Sequence, residues 1–275
     1  MINLLGKQVF QNINKNIVYK RGILREKNII PKLNIILVNP SQDDIAYKNT
    51  IVKKCIKIDI LCEVIECKDE ESFKVSLIKS NDDKKVHSII VMGKLDFNCS
   101  EFLKNNINPN KDVDGISYLN MAKLYSGDKT IIPCTAEAVL KILDYYDIPL
   151  DGKNITVIGR SNIIGKPLFM SLLSRGATVT ICHSHTTELV NHCKDADILC
   201  CAVGKPKLIK SNFVNKNMVV IDVGINFEED GSLCGDVDYS DVSDKVSAIT
   251  PVPGGVGTVT NMVLIEHVID SALEI

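Results

Sequence analysis

The length and charge of the chain already exclude several classes of protein. It has 275 residues, 45% of them hydrophobic and 24% charged, with a formal net charge of -2. This composition is typical of a globular protein of one or two domains, and the balanced charge offers no basic surface for nucleic acid. The sequence also lacks the run of about 18 apolar residues that could span a bilayer. We therefore expect neither a nucleic-acid partner nor a membrane association.

The cysteines indicate a reducing compartment. The chain has ten of them, but they form no CxxC pair, so the usual spacing of a zinc site is missing. Several lie in apolar runs such as "DILCCAVG", where a thiol behaves as a small hydrophobic group. The first residues lack the sustained apolar stretch of a secretory signal. We expect a cytoplasmic protein that holds no metal ion.

The first 145 residues alternate between strand-like and helical patterns. Two short runs rich in β-branched residues, at 32–39 and 86–93, predict strands, and a helix is predicted between them at 47–60. Such alternation is typical of βαβ units that form a mostly parallel sheet.

A second alternation begins after the segment "IPLDGKN". The pattern predicts strands at 155–159, 177–182, 197–204 and 218–224, and helices at 165–174 and 188–193. The apolar residues of 258–275 have helical spacing, which predicts a terminal helix that packs back on the first domain. We thus predict an α/β protein of two domains. One comprises residues 1–145 plus the helix 258–275, and the other is a Rossmann-like nucleotide-binding domain at 146–257.

A glycine loop, "VIGRSNIIGKP", follows a predicted strand and opens a predicted helix. In that context Gly159 permits a tight turn at the strand end, and Gly165 permits close approach of helix and strand. The start of the helix would present free N–H groups and a positive dipole end to a pyrophosphate. The two glycines are six residues apart rather than in a GxGxxG pattern, so a purely structural role stays open.

The end of the second strand of this domain decides between NAD and NADP. NAD enzymes usually place a carboxylate there against the ribose 2′-hydroxyl. Here the segment is "TICHSHT", in which His183, Ser184 and His185 offer hydrogen-bond donors. Arg160 adds a permanent cation that can pair with a 2′-phosphate. We predict NADP as the cofactor; the alternative is that Arg160 is a solvated loop residue.

Two later segments place glycines at the same edge of the sheet. "VGKP" and "DVGIN" each have a glycine just beyond a predicted strand, where open α/β sheets bind ligands. "ITPVPGGVGTVT" combines two prolines with three glycines. Such a rigid loop with few side chains lets a flat ring lie against backbone amides.

Taken together, these motifs resemble the methylenetetrahydrofolate dehydrogenase/cyclohydrolase family over nearly the whole chain. The segments that carry the resemblance are "LLGK", "KDVDG", "PCT", "GRSNIIGKP", "CHS", "AVGKP", "IDVGIN", "GDV" and "TPVPGGVG", in this order. The resemblance implies oxidation of 5,10-methylenetetrahydrofolate to 5,10-methenyltetrahydrofolate with NADP, in a cleft between the two domains. It also implies a homodimer.

The resemblance further assigns the site residues. A tyrosine that stacks on the folate matches Tyr47, and a carboxylate that binds the pterin matches Asp114; both are assigned as catalytic residues. The residues assigned to substrate binding are Tyr47, Asp114, Pro251, Pro253, Gly254 and Gly255. Those assigned to the cofactor are Gly159, Arg160, Ser161, Gly165, Ser184 and Ile225. We predict that Tyr47, Asp114 and the proline–glycine segment border one slot that faces the nicotinamide.

The sequence departs from the family pattern at the positions used for cyclohydrolase chemistry. The family has a lysine four residues after the tyrosine and a glutamine in the segment "VMGKLD", and this chain has Ile51 and Met92 there. Lys54 is the nearest substitute, seven residues after Tyr47 on nearly the same helix face. Three hypotheses follow. The protein is a dehydrogenase with weak or absent cyclohydrolase activity, a bifunctional enzyme in which Lys54 substitutes as a catalytic residue, or a folate- or NADP-binding protein without catalysis.

Three other polar residues receive structural interpretations. We expect His87 to be a satisfied core or edge histidine and His267 to be a surface residue of the terminal helix. We expect Asp222 to hold a strand end through hydrogen bonds to neighbouring backbone rather than to act in catalysis.

Overall fold

The computed structural model describes residues 1–274, without the side chain of Phe97, and shows an α/β protein with mainly parallel strands. The strands are β1 (Ile2–Asn3), β2 (Lys32–Val38), β3 (Leu61–Cys67), β4 (Ser88–Gly93), β5 (Asn154–Ile158), β6 (Thr178–Cys182), β7 (Ile198–Cys201), β8 (Val219–Asp222), β9 (Asn226–Phe227), β10 (Leu233–Cys234) and β11 (Ala248–Ile249). The helices are α1 (Gly6–Glu26), α2 (Gln42–Lys57), α3 (Glu70–Asp82), α4 (Phe97–Asn106), α5 (Tyr118–Ser126), α6 (Cys134–Tyr145), α7 (Gly165–Ser174), α8 (Leu189–Cys193), α9 (Tyr239–Val242) and α10 (Val256–Glu274).

These elements form two compact units. Met1–Asn12 and Pro133–Thr260 form one, which we call the nucleotide unit. Ile13–Ile132 and the residues from Asn261 onwards form the other, which we call the α2 unit. The domain limits given above from the sequence stay a prediction.

The nucleotide unit is built on a six-stranded parallel sheet in the order β1-β11-β8-β7-β5-β6. The chain runs from β5 outward to β6 and then returns to the other side of β5 with β7, so the strand order reverses beside β5. Such a reversal is where open α/β sheets bind ligands, at the carboxyl ends of the strands. The core beneath this edge contains Ile158, Leu199, Val220 and Ile249, all at most 1% exposed.

The α2 unit has a smaller parallel sheet, in the order β3-β2-β4. The central strand β2 is buried over Leu33–Val38, because helices cover a parallel sheet on both faces. Its core includes Ile36, Phe73 and Leu77. His87, just before β4, is buried and its Nδ1 accepts a hydrogen bond from the Lys32 amide at 3.1 Å, which confirms the structural interpretation.

Helix α2 starts at Gln42, five residues before the predicted start, and ends at Lys57, three residues before the predicted end at residue 60. Ser41 forms a capping box with Asp44: the serine hydroxyl accepts from the Asp44 amide, and the carboxylate accepts from the Ser41 amide. This arrangement satisfies amides that a helix start otherwise leaves unpaired. The chain then leaves the helix through Asp59, which has a φ of 56°.

Six of the strands were predicted from the sequence and others were missed. β3, which is as long as β2, was not predicted, because the predicted helix was extended to residue 60 and left no turn before Leu61. It also missed β1 and β11, which are two residues each and complete the large sheet from distant parts of the chain.

None of the helices within residues 1–274 combines the length and apolar character needed to cross a membrane.

Candidate functional site

The loop between β5 and α7 has the geometry that its glycines predict. Gly159 has a φ of 127°, and a Cβ there would lie 2.2 Å from the carbonyl oxygen of Ala202. A Cβ on Gly165 would lie 2.1 Å from the carbonyl oxygen of Gly159. Neither position can accommodate a side chain, so the predicted tight turn and close helix approach are confirmed.

Ser161 shapes the start of α7 within this loop. Its Oγ accepts hydrogen bonds from the amides of Ile164 at 3.1 Å and Gly165 at 3.4 Å. The Ser161 side chain is itself exposed, whereas Gly165, the first residue of α7, is buried. A glycine turn that leads into a helix start fits the pyrophosphate of a dinucleotide.

The residues predicted to select the cofactor lie at the ends of β5 and β6. The Gly159 amide donates to the Cys182 carbonyl at 2.9 Å, so the two following loops begin side by side. Arg160 and Ser184 are both exposed. No carboxylate occurs between residues 182 and 186, which fits a phosphate better than a ribose hydroxyl at this place.

A cavity of about 230 Å³ lies at the carboxyl end of β8. Its lining includes Ile225, which was assigned to the cofactor, and Pro251, Pro253, Gly254 and Gly255, which were assigned to the substrate. A Cβ on Gly255 would lie 2.6 Å from the Pro251 carbonyl oxygen, so that glycine is required by close packing. The structure therefore brings the "DVGIN" and proline–glycine segments to one cavity.

Asp222 holds the strand end beside this cavity, as predicted. Its carboxylate accepts hydrogen bonds from the amides of Gly224, Asp236 and Val237, each at 3.0 Å. The side chain is 3% exposed, and burial raises the pKa of Asp222 to about 6 despite these three donors.

Asp236 does the same for the neighbouring loop, although no sequence pattern beyond the "GDV" motif points to it. Its carboxylate is fully buried and accepts from the amides of Val203 at 2.6 Å, Gly204 at 3.2 Å and Lys205 at 2.9 Å. It also accepts from the Asn226 side-chain amide at 2.9 Å. One carboxylate thus ties the loop after β7 to the segment after β8.

In the α2 unit, the predicted catalytic helix carries an apolar residue at its centre. Tyr47 is half-buried and Ile51, one turn later, is fully buried. Lys54 is also half-buried, and burial, followed by the charge of Lys57, lowers the pKa of Lys54. Met92, which occupies the glutamine position of the family pattern, is 7% exposed near the end of β4.

The segment Lys111–Gly115, which carries Asp114, is fastened to β4. The Ile89 amide donates to the Lys111 carbonyl at 2.6 Å, and the Val113 amide donates to the Ile89 carbonyl at 3.4 Å. The buried Lys111 ammonium donates to the carbonyls of Ser80, Asn81 and Asp83 near the end of α3. These bonds fix the path of the chain into Asp114, which is half-buried.

His267 was predicted to lie on the surface, and this prediction is wrong. The side chain is 7% exposed, and its Nδ1 lies 2.7 Å from the Val113 carbonyl oxygen. Because a carbonyl oxygen only accepts, Nδ1 carries the hydrogen of this bond. A polar residue on a helix was expected to face solvent, whereas α10 is buried on nearly every side in the α2 unit. The residue before Asp114 is therefore held by the terminal helix.

The predicted site residues thus fall into two groups. Tyr47, Lys54 and Asp114 belong to the α2 unit. The assigned cofactor residues and the proline–glycine segment belong to the nucleotide unit. The prediction that both groups border one slot stays a prediction.

A parallel sheet with a glycine turn after β5 and ligand loops at its carboxyl edge defines a Rossmann-like nucleotide-binding protein. Comparison with known proteins extends this conclusion. Residues 133–275 match the family model described as tetrahydrofolate dehydrogenase/cyclohydrolase, NAD(P)-binding domain, and residues 4–114 match the catalytic domain of that family. The chain belongs to the tetrahydrofolate dehydrogenase/cyclohydrolase family, and its two-domain α/β fold is confirmed.

Individual relatives cover almost the whole chain. The bifunctional protein FolD of Clostridium botulinum (strain Okra / Type B1) is 46% identical over 274 residues, which are 98% of this chain and 97% of that protein. The crystal structure of the bifunctional enzyme FolD from Campylobacter jejuni has a TM-score of 0.96 and 36% identity, covering 100% of this chain and 99% of that one. The structure of FolD of Trypanosoma brucei, complexed with NADP cofactor and inhibitor, has a TM-score of 0.92 and 28% identity. The match covers 100% of this chain and 98% of that one.

Proposed function

We propose that the protein oxidises 5,10-methylenetetrahydrofolate to 5,10-methenyltetrahydrofolate with NADP, and that it has little or no cyclohydrolase activity. Family membership supports the first part. The observation that carries the second part is the burial of apolar side chains at both positions where the family pattern has polar ones, Ile51 and Met92.

The residues of this chain bind and orient the reactants. Tyr47 offers an aromatic face for the folate, and the Asp114 carboxylate can accept hydrogen bonds from pterin N–H groups. The segment Pro251–Gly257 offers backbone with little side-chain bulk to a flat ring. Hydride acceptance is the chemistry that NADP supplies when bound, so the contribution of the protein is largely proximity and orientation.

NADP rather than NAD is supported by the residues at the ends of β5 and β6. Arg160 can pair with a 2′-phosphate, and no carboxylate stands at 182–186 to bind a ribose hydroxyl. The T. brucei relative was solved with NADP. We expect a lower KM for NADP than for NAD; a clear preference for NAD would refute this choice of cofactor.

Hydrolysis of the methenyl group requires a residue that exchanges a proton at the reacting centre. Ile51 has no titratable group, and the Met92 thioether is only a weak acceptor. Introducing a charge at Ile51 would also bury it, since the side chain is fully enclosed. The dehydrogenase step needs no such residue and is retained in the proposal.

A second candidate is a bifunctional enzyme in which Lys54 provides the proton transfer. Two observations favour it. Burial lowers the pKa of Lys54, which makes its ammonium a better acid near neutral pH. In addition, the relative from C. botulinum is named as bifunctional.

One preparation decides between the candidates when NADPH formation and methenyltetrahydrofolate decay are followed side by side. We expect NADPH formation, and methenyl decay no faster than the spontaneous rate. Decay well above that rate, abolished in Lys54→Ala but kept in the exposed control Lys53→Ala, would establish the bifunctional candidate instead. NADP binding without any absorbance change on adding methylenetetrahydrofolate would indicate a binding protein without catalysis.

A homodimer is part of the proposal, supported by family resemblance and by the position of β6 at the edge of the large sheet. Light scattering after size-exclusion chromatography tests it, with a mass of twice the chain expected.

A further inference from the structure

Two cysteines of the α2 unit lie where the chain turns back from a helix into a strand. Cys55 is in the last turn of α2, and Cys62 is the second residue of β3. The Cys55 carbonyl accepts hydrogen bonds from the amides of Ile58 at 3.1 Å and Ile60 at 3.0 Å. These bonds close a tight turn, so the start of β3 lies beside the end of α2.

The topology of the small sheet directs the Cys62 side chain towards α2. Side chains alternate between the two faces of a strand. Cys67 of β3 packs with Phe73 of α3, so Cys62, five residues earlier, points to the opposite face. Helix α2 covers that face, because the crossovers β2-α2-β3 and β3-α3-β4 run in opposite directions across the sheet and parallel crossovers are right-handed.

The two thiols meet in the space between α2 and β3. Cys55 is fully buried, and its side chain forms a hydrogen bond with that of Cys62. This bond lowers the pKa of the Cys62 thiol although burial opposes it, whereas the bond and burial together raise the pKa of Cys55. Cys62 is therefore the member of the pair that becomes a thiolate first, and Cys55 keeps the proton of the bond.

Cys62 is also the cysteine that a dissolved oxidant can reach. All ten cysteines lie within residues 1–274; nine are buried, and Cys62 is half-buried. Burial raises the pKa of Cys193 and of Cys200 to about 12, which keeps these two thiols protonated at neutral pH. Oxidation of a cysteine requires both thiolate character and access. Cys62 combines these two properties and has a second thiol in contact.

We propose that Cys62 and Cys55 form a redox modification site that takes hydrogen peroxide as its oxidant and closes to a disulfide. The Cys62 thiolate attacks the O–O bond, which gives a sulfenic acid and a hydroxide that takes up a proton to become water. The Cys55 sulfur then attacks the Cys62 sulfur, and the sulfenic hydroxyl leaves with the Cys55 proton as a second water. The two thiols lose two electrons in total, and these reduce one peroxide to two waters.

The nearby thiol determines the product of the oxidation. A sulfenic acid without a partner proceeds to sulfinic acid, which is not reversed by ordinary thiols, whereas a neighbouring thiol converts it to a reducible disulfide. The disulfide would join β3 to the last turn of α2, the helix that also carries Tyr47. The inference does not depend on the proposed function, because neither thiol has a part in it.

Mass spectrometry of the full-length protein tests the site. Reduced protein is treated with hydrogen peroxide, the peroxide is removed with catalase, and the remaining thiols are alkylated after denaturation. Trypsin cleaves after Lys54 and Lys57 and so separates the two cysteines. The expected product links peptide 55–57 to peptide 58–68. Eight of the ten thiols should remain free, which is a loss of two, and dithiothreitol should restore all ten.

Matched variants identify the two sulfurs. Cys62→Ser should form no disulfide and should keep its other thiols reduced. Cys55→Ala should stop at the sulfenic acid of Cys62, which dimedone traps. Cys67→Ser changes a cysteine of the same strand that faces α3, and it should form the disulfide as the wild type does. This control also removes the second cysteine from peptide 58–68.

Several results would overturn the proposal. Wild-type oxidation that ends at a sulfinic acid on Cys62, or a disulfide that includes any other cysteine, would show that Cys55 is not its partner. A disulfide between the Cys62 residues of two copies, visible as a dimer on non-reducing gel electrophoresis, would do the same. Thiols that all stay reduced while glutathione in the same solution is oxidised would refute the site itself. If Cys55→Ala does not fold, the wild type and the half-buried Cys62→Ser decide.

Discussion

The two units differ in the side chains that occupy their predicted site positions. At the carboxyl edge of the nucleotide unit, two buried carboxylates, Asp222 and Asp236, accept hydrogen bonds from six backbone amides and fasten the loops after β7 and β8. In the α2 unit, the positions that the family pattern fills with polar side chains are occupied by Ile51 and Met92.

This difference concerns what each side chain does for the fold. A buried carboxylate that satisfies several amides cannot be exchanged for an apolar group without leaving those amides unpaired. An apolar residue on α2 leaves no such deficit. The loops of the nucleotide unit are therefore constrained by folding, whereas the α2 positions can change without loss of the fold.

The largest effect is expected from removing the anchor of the β7 loop. Asp236→Ala would leave the buried amides of Val203, Gly204 and Lys205 without their acceptor, which should lower the free energy of unfolding by about 4 kcal/mol. Urea denaturation measures the change. The control is Asp195→Ala, an exposed aspartate, which should cost less than about 0.5 kcal/mol. If both variants lowered the free energy of unfolding equally, the bonds to Asp236 would contribute nothing to stability.

A somewhat smaller effect is expected at the glycine turn. Gly159→Ala adds a Cβ 2.2 Å from a carbonyl oxygen at a φ of 127°, so the turn must open. We expect the Kd of NADP to rise about 100-fold, or about 3 kcal/mol. Gly152→Ala is the matched control, because Gly152 also has a positive φ but has open space around its Cβ position. Calorimetric titration should show unchanged NADP binding in that control.

Asp222 makes the nucleotide unit sensitive to pH. Its pKa is about 6 in the folded protein against 3.8 ordinarily, so the folded state holds this proton more tightly than the unfolded state. The stabilisation from this group is complete below about pH 4 and is lost as pH rises through about 6, by about 3 kcal/mol. In Asp222→Asn, the free energy of unfolding should no longer show this decrease with rising pH. A decrease of the same size in the variant would have to come from another titrating group.

The smallest of these effects is expected from His267, which tests how the α2 unit positions Asp114. His267→Leu removes the donor to the Val113 carbonyl and should raise the KM for the folate about tenfold, with little change in kcat. His267→Asn can place an amide N–H near the same carbonyl and should recover most of the affinity. The Kd of NADP should not change in either variant. Equal KM values for the two variants would count against a positioning role.

Local patterns in the sequence predicted most of the regular structure. The alternation of β-branched runs and helical spacing identified β2, β4 and the four longest strands of the large sheet, because apolar and β-branched residues make up most of each strand. The glycine loop was also predictable, since a tight turn and a close helix approach are properties of neighbouring residues. The same holds for one backbone bond of Asp222, from the amide of Gly224 two residues away, but not for its bonds from Asp236 and Val237.

What the tertiary structure alone decided depends on contacts between distant residues. β1 joins the large sheet because Ile2 pairs with Ala248 of β11, and the buried His267 bonds a carbonyl 154 residues earlier in the chain. No periodicity reports such pairings, since burial is a property of the assembled fold. The sequence by itself determined six of the strands, the glycine turn and the residue types available for chemistry. The tertiary structure decided which buried side chains hold the loops in place, because a hydrogen bond to a distant backbone group exists only after folding.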